Sequence, residues 1–292
     1  MISDKCIICH RSALKLWKKV DRTKIYACTN CLLGITEKKT IKRGVLYASE
    51  GLYNLESYRG REGVQEKKFD EIILIIRSFL REGDILEVGA GHGLFARMLQ
   101  KNKRYRTHVV EPNLRLVYLN KVKHRVKSYK KTYEEFLKTN KKKFKLVIFM
   151  DVLEHFKNPK AILEKTRKIL DRKGLVLILL PNYKSLMANM SKNWPWWMVE
   201  DHKFHFSPRS LERLAQVTGY EVRYLSTFEN FHDFRKSLDG NFTHIKNKFK
   251  RRFEKLVFYL GFFPLYFALR KLIWLAGRGG LICMVAQKRS RN

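Results

Sequence analysis

The sequence predicts an α/β protein: an open, doubly wound, mostly parallel sheet, preceded by a small cysteine-paired module and carrying a basic and apolar helical insertion towards its C-terminus. Three observations carry that prediction. Short apolar runs alternate with helical periodicity from residue 67 to residue 224, the pattern of parallel strands joined by crossover helices. Four of the five cysteines fall in two C-x-x-C pairs within the first 31 residues. Near residue 250 a basic run passes into an uncharged aromatic stretch, and an apolar segment that reads as a closing strand follows.

In chain order the expected organisation is a module at 1–45, the doubly wound domain at 46–227, the basic and apolar helical segment at 228–279, and a closing strand with a basic tail at 280–292. Within the large domain, strands are expected at 84–88, 107–111, 145–150, 175–180 and 221–225, and helices at 94–101, 159–170 and 208–218. Sheets of this kind bind ligands at the carboxyl ends of their strands. Hydrophobic residues make up 45% of the chain, ample for a core. The 61 Lys and Arg against 27 Asp and Glu give a formal charge of +34, which suits anionic surroundings such as nucleic acid, anionic lipid or a phosphorylated substrate. The alternative is a solvated basic face without a partner.

Cys6 and Cys9 form the first pair, Cys28 and Cys31 the second, with 18 residues between them. At this spacing two turns each present two thiolates to one tetrahedral zinc, so a structural zinc is expected. Because His10 follows Cys9, CIICH also matches a haem-attachment pattern, but that reading leaves Cys28 and Cys31 without a role. Residues 1–10 contain no apolar core of the kind a secretory signal needs, so a cytoplasmic location is expected. Cys283, in LICMVA, reads as a buried core thiol.

ILEVGAGHG at 85–93 places Gly89, Gly91 and Gly93 behind an apolar run. They read G-x-G-x-G, whereas a dinucleotide fingerprint needs G-x-G-x-x-G, and its third glycine position is filled here by Leu94. At the end of the next strand Glu111, 22 residues after Gly89, can accept both hydroxyls of an adenosine ribose. A glycine turn, the preceding Glu87 and a ribose carboxylate, with no phosphate-binding lysine motif, describe a nucleoside ligand lacking a pyrophosphate. S-adenosylmethionine fits that description.

From these residues the sequence resembles the class I S-adenosylmethionine-dependent methyltransferases, which share a Rossmann-like sheet. FKLVIFMDVLEHFKNP at 144–159 is similar to the fourth-strand motif of the branch containing the quinone O-methyltransferases and many sugar methyltransferases. LDRKGLVLILLPN at 170–182 is similar to that branch's fifth strand, and WPWWMVEDHKFHFSPRSLERLAQVTGYEV at 194–222 to its substrate-side segment. The resemblance runs from about residue 47 to residue 224, and the cysteine module ahead of it resembles that of zinc-ribbon methyltransferases. It implies that Gly89, Gly91 and Gly93 line the methionine and ribose of the cofactor, that Glu87 lies near its amino group, that Glu111 holds the ribose, and that Asp151 also borders it. It further implies a divalent cation, magnesium, near Asp151, Glu154 and His155, with an aspartate at 151 where the branch has glutamate.

Methyl transfer to a hydroxyl needs a base, and His155 and His202 are the candidates, since imidazole titrates near working pH. The alternative for each is a structural, hydrogen-bonded histidine. His205 reads as packed beside Phe204 and Phe206. Trp194, Trp196 and Trp197 form either a platform for an acceptor or a hydrophobic brace under a loop. In the C-terminal segment, KNKFKRRFEK at 246–255 leads into 14 uncharged residues at 256–269. Fourteen residues are short for a membrane span, and Gly261 and Pro264 are expected to interrupt them. An insertion peripheral on the anionic inner face of the membrane is therefore expected, the alternative being helices packed on the domain or in a dimer. The leading function is methyl transfer to a small or lipid-linked acceptor. An RNA methyltransferase using the basic surface, or a non-catalytic cofactor-fold module, would account for parts of the sequence. No N-P-P-Y motif of base methylation follows the fourth strand.

Overall fold

The structure, a computed structural model, describes residues 5–11, 13–20, 22–37, 62–191, 194–229 and 231–290. The expected boundary at residue 45 and the last two residues of the basic tail lie outside the described residues. Strands β1 (Leu14–Val20), β2 (Thr23–Cys28) and β3 (Gly34–Thr36) come first, followed by α1 (Glu62–Phe79). The chain then alternates β4 (Gly83–Val88), α2 (Leu94–Gln100), β5 (Tyr105–Val110), α3 (Leu114–Val122), β6 (Lys127–Tyr129), α4 (Tyr133–Thr139), β7 (Phe144–Met150), α5 (Pro159–Ile169) and β8 (Leu170–Pro181). It continues through α6 (Leu186–Met190), β9 (Phe204–His205), α7 (Pro208–Val217), β10 (Tyr220–Phe228), α8 (Phe231–Asp239), α9 (Lys248–Leu275) and β11 (Leu281–Lys288).

Local sequence explains the helix starts. The Asn113 side chain accepts from the backbone of Arg115 and Leu116 to open α3, and Thr132 with Glu135 forms a reciprocal capping box on α4. Asn158 caps α5, whose first position is Pro159, where the missing N–H costs nothing. Along α5, Ile162, Leu163, Thr166 and Ile169 are buried at helical spacing.

Seven strands form the large sheet in the order β10-β11-β8-β7-β4-β5-β6, as expected for an α/β, Rossmann-like methyltransferase fold. β4 pairs in parallel with β5 and β7, β5 with β6, and β7 with β8. From β4 the chain steps outward to β5 and β6, then returns to build β7 on the other side. The order reverses between β4 and β7, which is where such sheets leave a crevice for ligands. β8 begins at Leu170, opposite Phe144, so the residues expected to turn between helix and strand are already in the sheet, across an irregularity of register.

The chain forms two compact units, each assembled from separated stretches. The glycine-loop unit comprises Lys42–Leu179, Leu214–Tyr224 and Met284–Asn292. The cysteine unit comprises Met1–Ile41, Leu180–Arg213 and Leu225–Cys283. Division by compactness thus differs from division by order along the chain, and the reason lies in pairing. A second, four-stranded sheet runs β1-β2-β3-β9, in which Gly34 and Ile35 pair antiparallel with His205 and Phe204. The N-terminal module is completed by a strand from the expected substrate-side segment.

The sequence expectation of an interruption at Gly261 and Pro264 is corrected by the structure: α9 runs through both as one helix of 28 residues. Pro264 is exposed, and around it Phe262 and Tyr266 stack with Phe234 on the buried side, so tertiary packing holds the turn that proline weakens. By length and composition α9 is the one helix among the described residues that could cross a membrane.

Candidate functional site

In the glycine-loop unit, the turn after β4 is built from three residues in the left-handed region: Gly89 (φ 69°), Gly91 (φ 51°) and Gly93 (φ 72°). Side chains are excluded at two of them by more than backbone strain. A Cβ on Gly93 would lie 1.5 Å from Asn120 Oδ1, and one on Gly89 would lie 2.8 Å from Val152. Asn120, fully buried on α3, donates to the carbonyls of Gly91 (3.0 Å) and Leu116 (2.8 Å), which pins the turn. Sequence reasoning missed this residue, although an asparagine on the buried face of a helix is the kind of signal that could have marked it.

Glu111 lies just past β5, 5% exposed. Its carboxylate accepts from the backbone N–H of Gly91 (3.2 Å) and of Asn113 (3.0 Å), one bond to each oxygen. Each oxygen therefore keeps acceptor capacity for a further donor, which is what two ribose hydroxyls require. Burial raises its pKa, while those two N–H groups oppose the shift. Glu87 on β4 is 3% exposed, and its Oε2 has no hydrogen-bond partner. Burial first, and the Glu111 carboxylate second, push its pKa up to about 8. A buried carboxyl with an unused oxygen suits a cationic ligand group such as an amino-acid ammonium. The residues present thus fit S-adenosylmethionine.

After β7, Asp151 adopts φ 50°, and its N–H donates to the Leu179 carbonyl (2.9 Å). Lys68 on α1 approaches its carboxylate at 3.7 Å, another residue the motifs did not single out. Glu154 and His155 follow in a short 3₁₀ turn, with ligand atoms within 4.8 Å of each other. Glu154 is buried, and burial followed by the Asp151 charge raises its pKa well above the usual carboxylate range. Among the described residues, Asp151 does not join Glu154 and His155 in one set of donor atoms within 4.8 Å. The trio the sequence suggested for magnesium is therefore not gathered as a ligand cage.

In the cysteine unit, the two C-x-x-C stretches fold into the same turn twice. Cys6 N–H donates to the Arg11 carbonyl and His10 N–H to the Cys6 carbonyl; Cys28 and Leu32 repeat the pattern with Leu33 and Cys28. His10 (φ 57°) and Leu32 (φ 59°) occupy the left-handed position of their turns. His10 is thus a turn residue of one knuckle. Cys6 and Cys31 Sγ atoms lie 3.5 Å apart, as do those of Cys9 and Cys28, and all four sulfurs lie within 4.8 Å of one another without a disulfide. Sulfurs bound to tetrahedral zinc at about 2.3 Å sit roughly 3.8 Å apart, so the four thiols fit zinc. Hydrogen bonding by the Cys31 thiol lowers the pKa of Cys6 to about 5 and raises that of Cys31.

The same unit holds His202 and His205. His202 is 4% exposed, with Nδ1 placed 3.1 Å from the Trp196 carbonyl; donation there leaves Nε2 as the proton acceptor of the neutral ring. The Thr36 hydroxyl donates to the His202 carbonyl (2.8 Å), so its oxygen accepts from His205 Nε2 (2.8 Å). Burial lowers the pKa of His205 to about 3, which keeps it neutral and structural. Trp194 and Trp197, each 3% exposed, pack with Trp17 and Tyr183 in the core of this unit. For those two the brace reading holds, and Trp196, half-buried, is the one with surface to offer an acceptor.

The family described as methyltransferase domain matches residues 61–225. No curated protein matches the chain in sequence. Among solved structures the fold is similar to an S-adenosylmethionine-dependent methyltransferase from Archaeoglobus fulgidus, with a TM-score of 0.54 and 16% identity over 80% of this chain and 99% of that one. It is also similar to such an enzyme from Thermotoga maritima (TM-score 0.53, 17% identity, 81% and 96%). The plantazolicin methyltransferase BpumL, solved with S-adenosylhomocysteine, is similar too (TM-score 0.53, 14% identity, 84% and 93%). With its turn, its two carboxylates and a family match over more than half its length, the chain belongs to the methyltransferase-domain family and is an S-adenosylmethionine-dependent methyltransferase.

Proposed function

We propose that the protein methylates a hydroxyl on a small or lipid-linked acceptor, of saccharide or quinone-like character, at the cytoplasmic face of a membrane. The observation that carries the cofactor half of this reading is the Glu111 carboxylate, held by the Gly91 and Asn113 N–H groups with capacity left on both oxygens. Bound S-adenosylmethionine supplies an electrophilic methyl group on a sulfonium. The chain's own work is then alignment, exclusion of water and removal of one proton from the acceptor. Glu111 and the glycine turn fix the nucleoside end, and Glu87 faces the amino group.

His202 and His155 are the proposed bases. In His202 the Trp196 carbonyl orients the ring with Nε2 as the basic nitrogen that takes the hydroxyl proton. His155, half-buried on the turn after β7, is the second candidate. Cys6, Cys9, Cys28 and Cys31 are proposed to hold a structural zinc that ties the two turns together. Magnesium forms no part of this proposal, since Asp151 is not among the donor atoms that lie together with those of Glu154 and His155.

The test is calorimetric titration with S-adenosylmethionine and S-adenosylhomocysteine on the wild-type chain and Glu111→Ala, followed by methyl transfer to lipid-extract and saccharide acceptors. Binding lost in the variant, with label entering a lipid-soluble acceptor, supports the reading. Absence of cofactor binding to the wild-type chain would overturn it, and label entering RNA alone would overturn the acceptor class.

A further inference from the structure

Helix α9 is apolar on two opposite faces. One face belongs to the core of the cysteine unit: Phe258, Phe262 and Tyr266 pack with Phe234, whose ring lies 4.1 Å from that of Tyr266. Polar ties reinforce it. Asp239 accepts from the Tyr259 hydroxyl and pairs with the Lys255 ammonium, both at 2.6 Å, and the Thr227 hydroxyl donates to the Trp274 carbonyl at 2.7 Å. On the other face Phe249, Phe253, Val257, Leu260, Phe267 and Leu275 follow one another at spacings of 4, 4, 3, 7 and 8 residues, which keep them on one side of a helix, and are exposed by 83, 60, 56, 68, 43 and 85%. That stripe runs nearly the whole length of the helix, and large apolar stripes left in water mark an interaction surface.

Charge identifies the occupant. Lys246, Lys248, Lys250 and Arg252 are exposed around the start of α9, Lys271 is exposed near its end, and residues 256–269 between them carry no charge. We propose that α9 is an in-plane docking helix, which seats its Phe249-to-Leu275 stripe in the acyl boundary of an anionic lipid leaflet while the flanking lysines and arginines meet the headgroups. This deepens the membrane-face part of the function proposed above and rests on it for its biological setting, though not for its physics. A second copy of the chain is the poorer fit, because it would bring together two molecules of net charge +34. Nucleic acid offers phosphates, and the middle of the stripe has nothing to bind them. A spanning helix is disfavoured as well. The uncharged stretch is about 21 Å long against a hydrocarbon core of roughly 30 Å, and spanning would strip the Tyr266 face from its core.

The experiment is flotation of the full-length protein with vesicles of phosphatidylcholine alone and of phosphatidylcholine with about a third phosphatidylglycerol. We expect flotation with the anionic vesicles, weakened by salt. Leu260→Asp together with Phe253→Asp should lower partitioning by about tenfold or more, since two apolar side chains no longer enter the acyl boundary. Lys250→Glu with Arg252→Glu should weaken the preference for phosphatidylglycerol by about tenfold or more, with Lys246, Lys248 and Lys271 keeping the remainder. Cofactor affinity, measured by calorimetry on the same variants, should stay unchanged, which also reports that they fold. A protein that floats but fails to bind cofactor would overturn the enzyme reading and leave this one standing. Flotation unaffected by the paired aspartates would overturn the docking helix. So would a wild-type dimer that the aspartates dissociate without any vesicle binding, or vesicle-bound protein that alkaline carbonate cannot extract.

Discussion

The two compact units differ in how their chemistry is held. In the glycine-loop unit the site is mostly backbone: three positive-φ glycines, two N–H groups on Glu111, and an asparagine clamping the turn. Nearly all of it comes from residues 87–120. In the cysteine unit the notable groups are side chains from distant stretches: four sulfurs gathered near the N-terminus, and a core in which Trp194 and Trp197 from the middle of the chain join the Tyr266 face of α9 from its end. A backbone-defined cofactor site tolerates almost no substitution at its glycines. A side-chain-defined surface can be re-tailored to a new acceptor without disturbing the cofactor. Specificity for the acceptor should therefore be sought in the cysteine unit and cofactor affinity in the other.

The sharpest way to break this contrast is Gly93→Ala. The new Cβ would collide with Asn120 and require a strained φ, so cofactor affinity should fall on the order of 100-fold in calorimetry. Adding Asn120→Ala should recover only the part due to the collision. Glu111→Ala should follow with a loss of about 30-fold, the worth of hydrogen bonds to a charged acceptor, while Glu111→Gln keeps part of the binding. On the other side, Cys28→Ser should remove metal from the purified protein and lower its melting temperature by several degrees, on the order of 5 °C, as expected for roughly 2 kcal/mol in a protein of this size. Cofactor affinity in that variant should stay within about twofold of wild type, because the glycine turn and Glu111 belong to the other compact unit and keep their own core.

A pH experiment sharpens the contrast further. Glu87 has its pKa raised from 4.5 to about 8, so near pH 7 it is mainly protonated before a cation arrives. Binding of the cofactor's ammonium should expel close to one proton at pH 7 and progressively fewer above pH 8, measured by titration in buffers of different ionisation enthalpy. Glu87→Gln should abolish the release. For the free protein the sign follows from the raised value: the contribution of Glu87 to stability is full below about 4.5 and is lost as pH rises through about 8. The smallest expected effect is that of Trp196→Ala, a rise of about threefold to fivefold in acceptor KM with kcat and cofactor affinity unchanged. An unmoved KM would assign Trp196 to the brace along with Trp194 and Trp197.

Most of the sheet was legible because its signals are local. Each of the five strands expected from apolar runs is present, and each of the three helices expected from periodicity begins where predicted. The glycine turn was legible for the same reason, since its constraint lies in consecutive residues. What the sequence hid was non-local. β6 is only three residues long, too short to show a period, and β3 and β9 are recognisable only once Gly34 and His205 are opposite one another. The role of Asn120 depends on the turn it touches, and the continuity of α9 through Pro264 depends on the Phe234 ring beneath it. Local breakers predict an interruption correctly only when nothing distant holds the helix together.

The pairing of β3 with β9 also has a consequence for the newly made chain. Gly34 leaves the ribosome about 170 residues before His205, an interval of roughly 10 to 30 s at ordinary synthesis rates. Throughout that time the β3 edge offers unpaired backbone groups to any passing strand. The cysteine knuckles can close early, but the sheet they belong to is finished late. Mispairing at this edge is therefore favoured in the middle of synthesis, before β9 has been made.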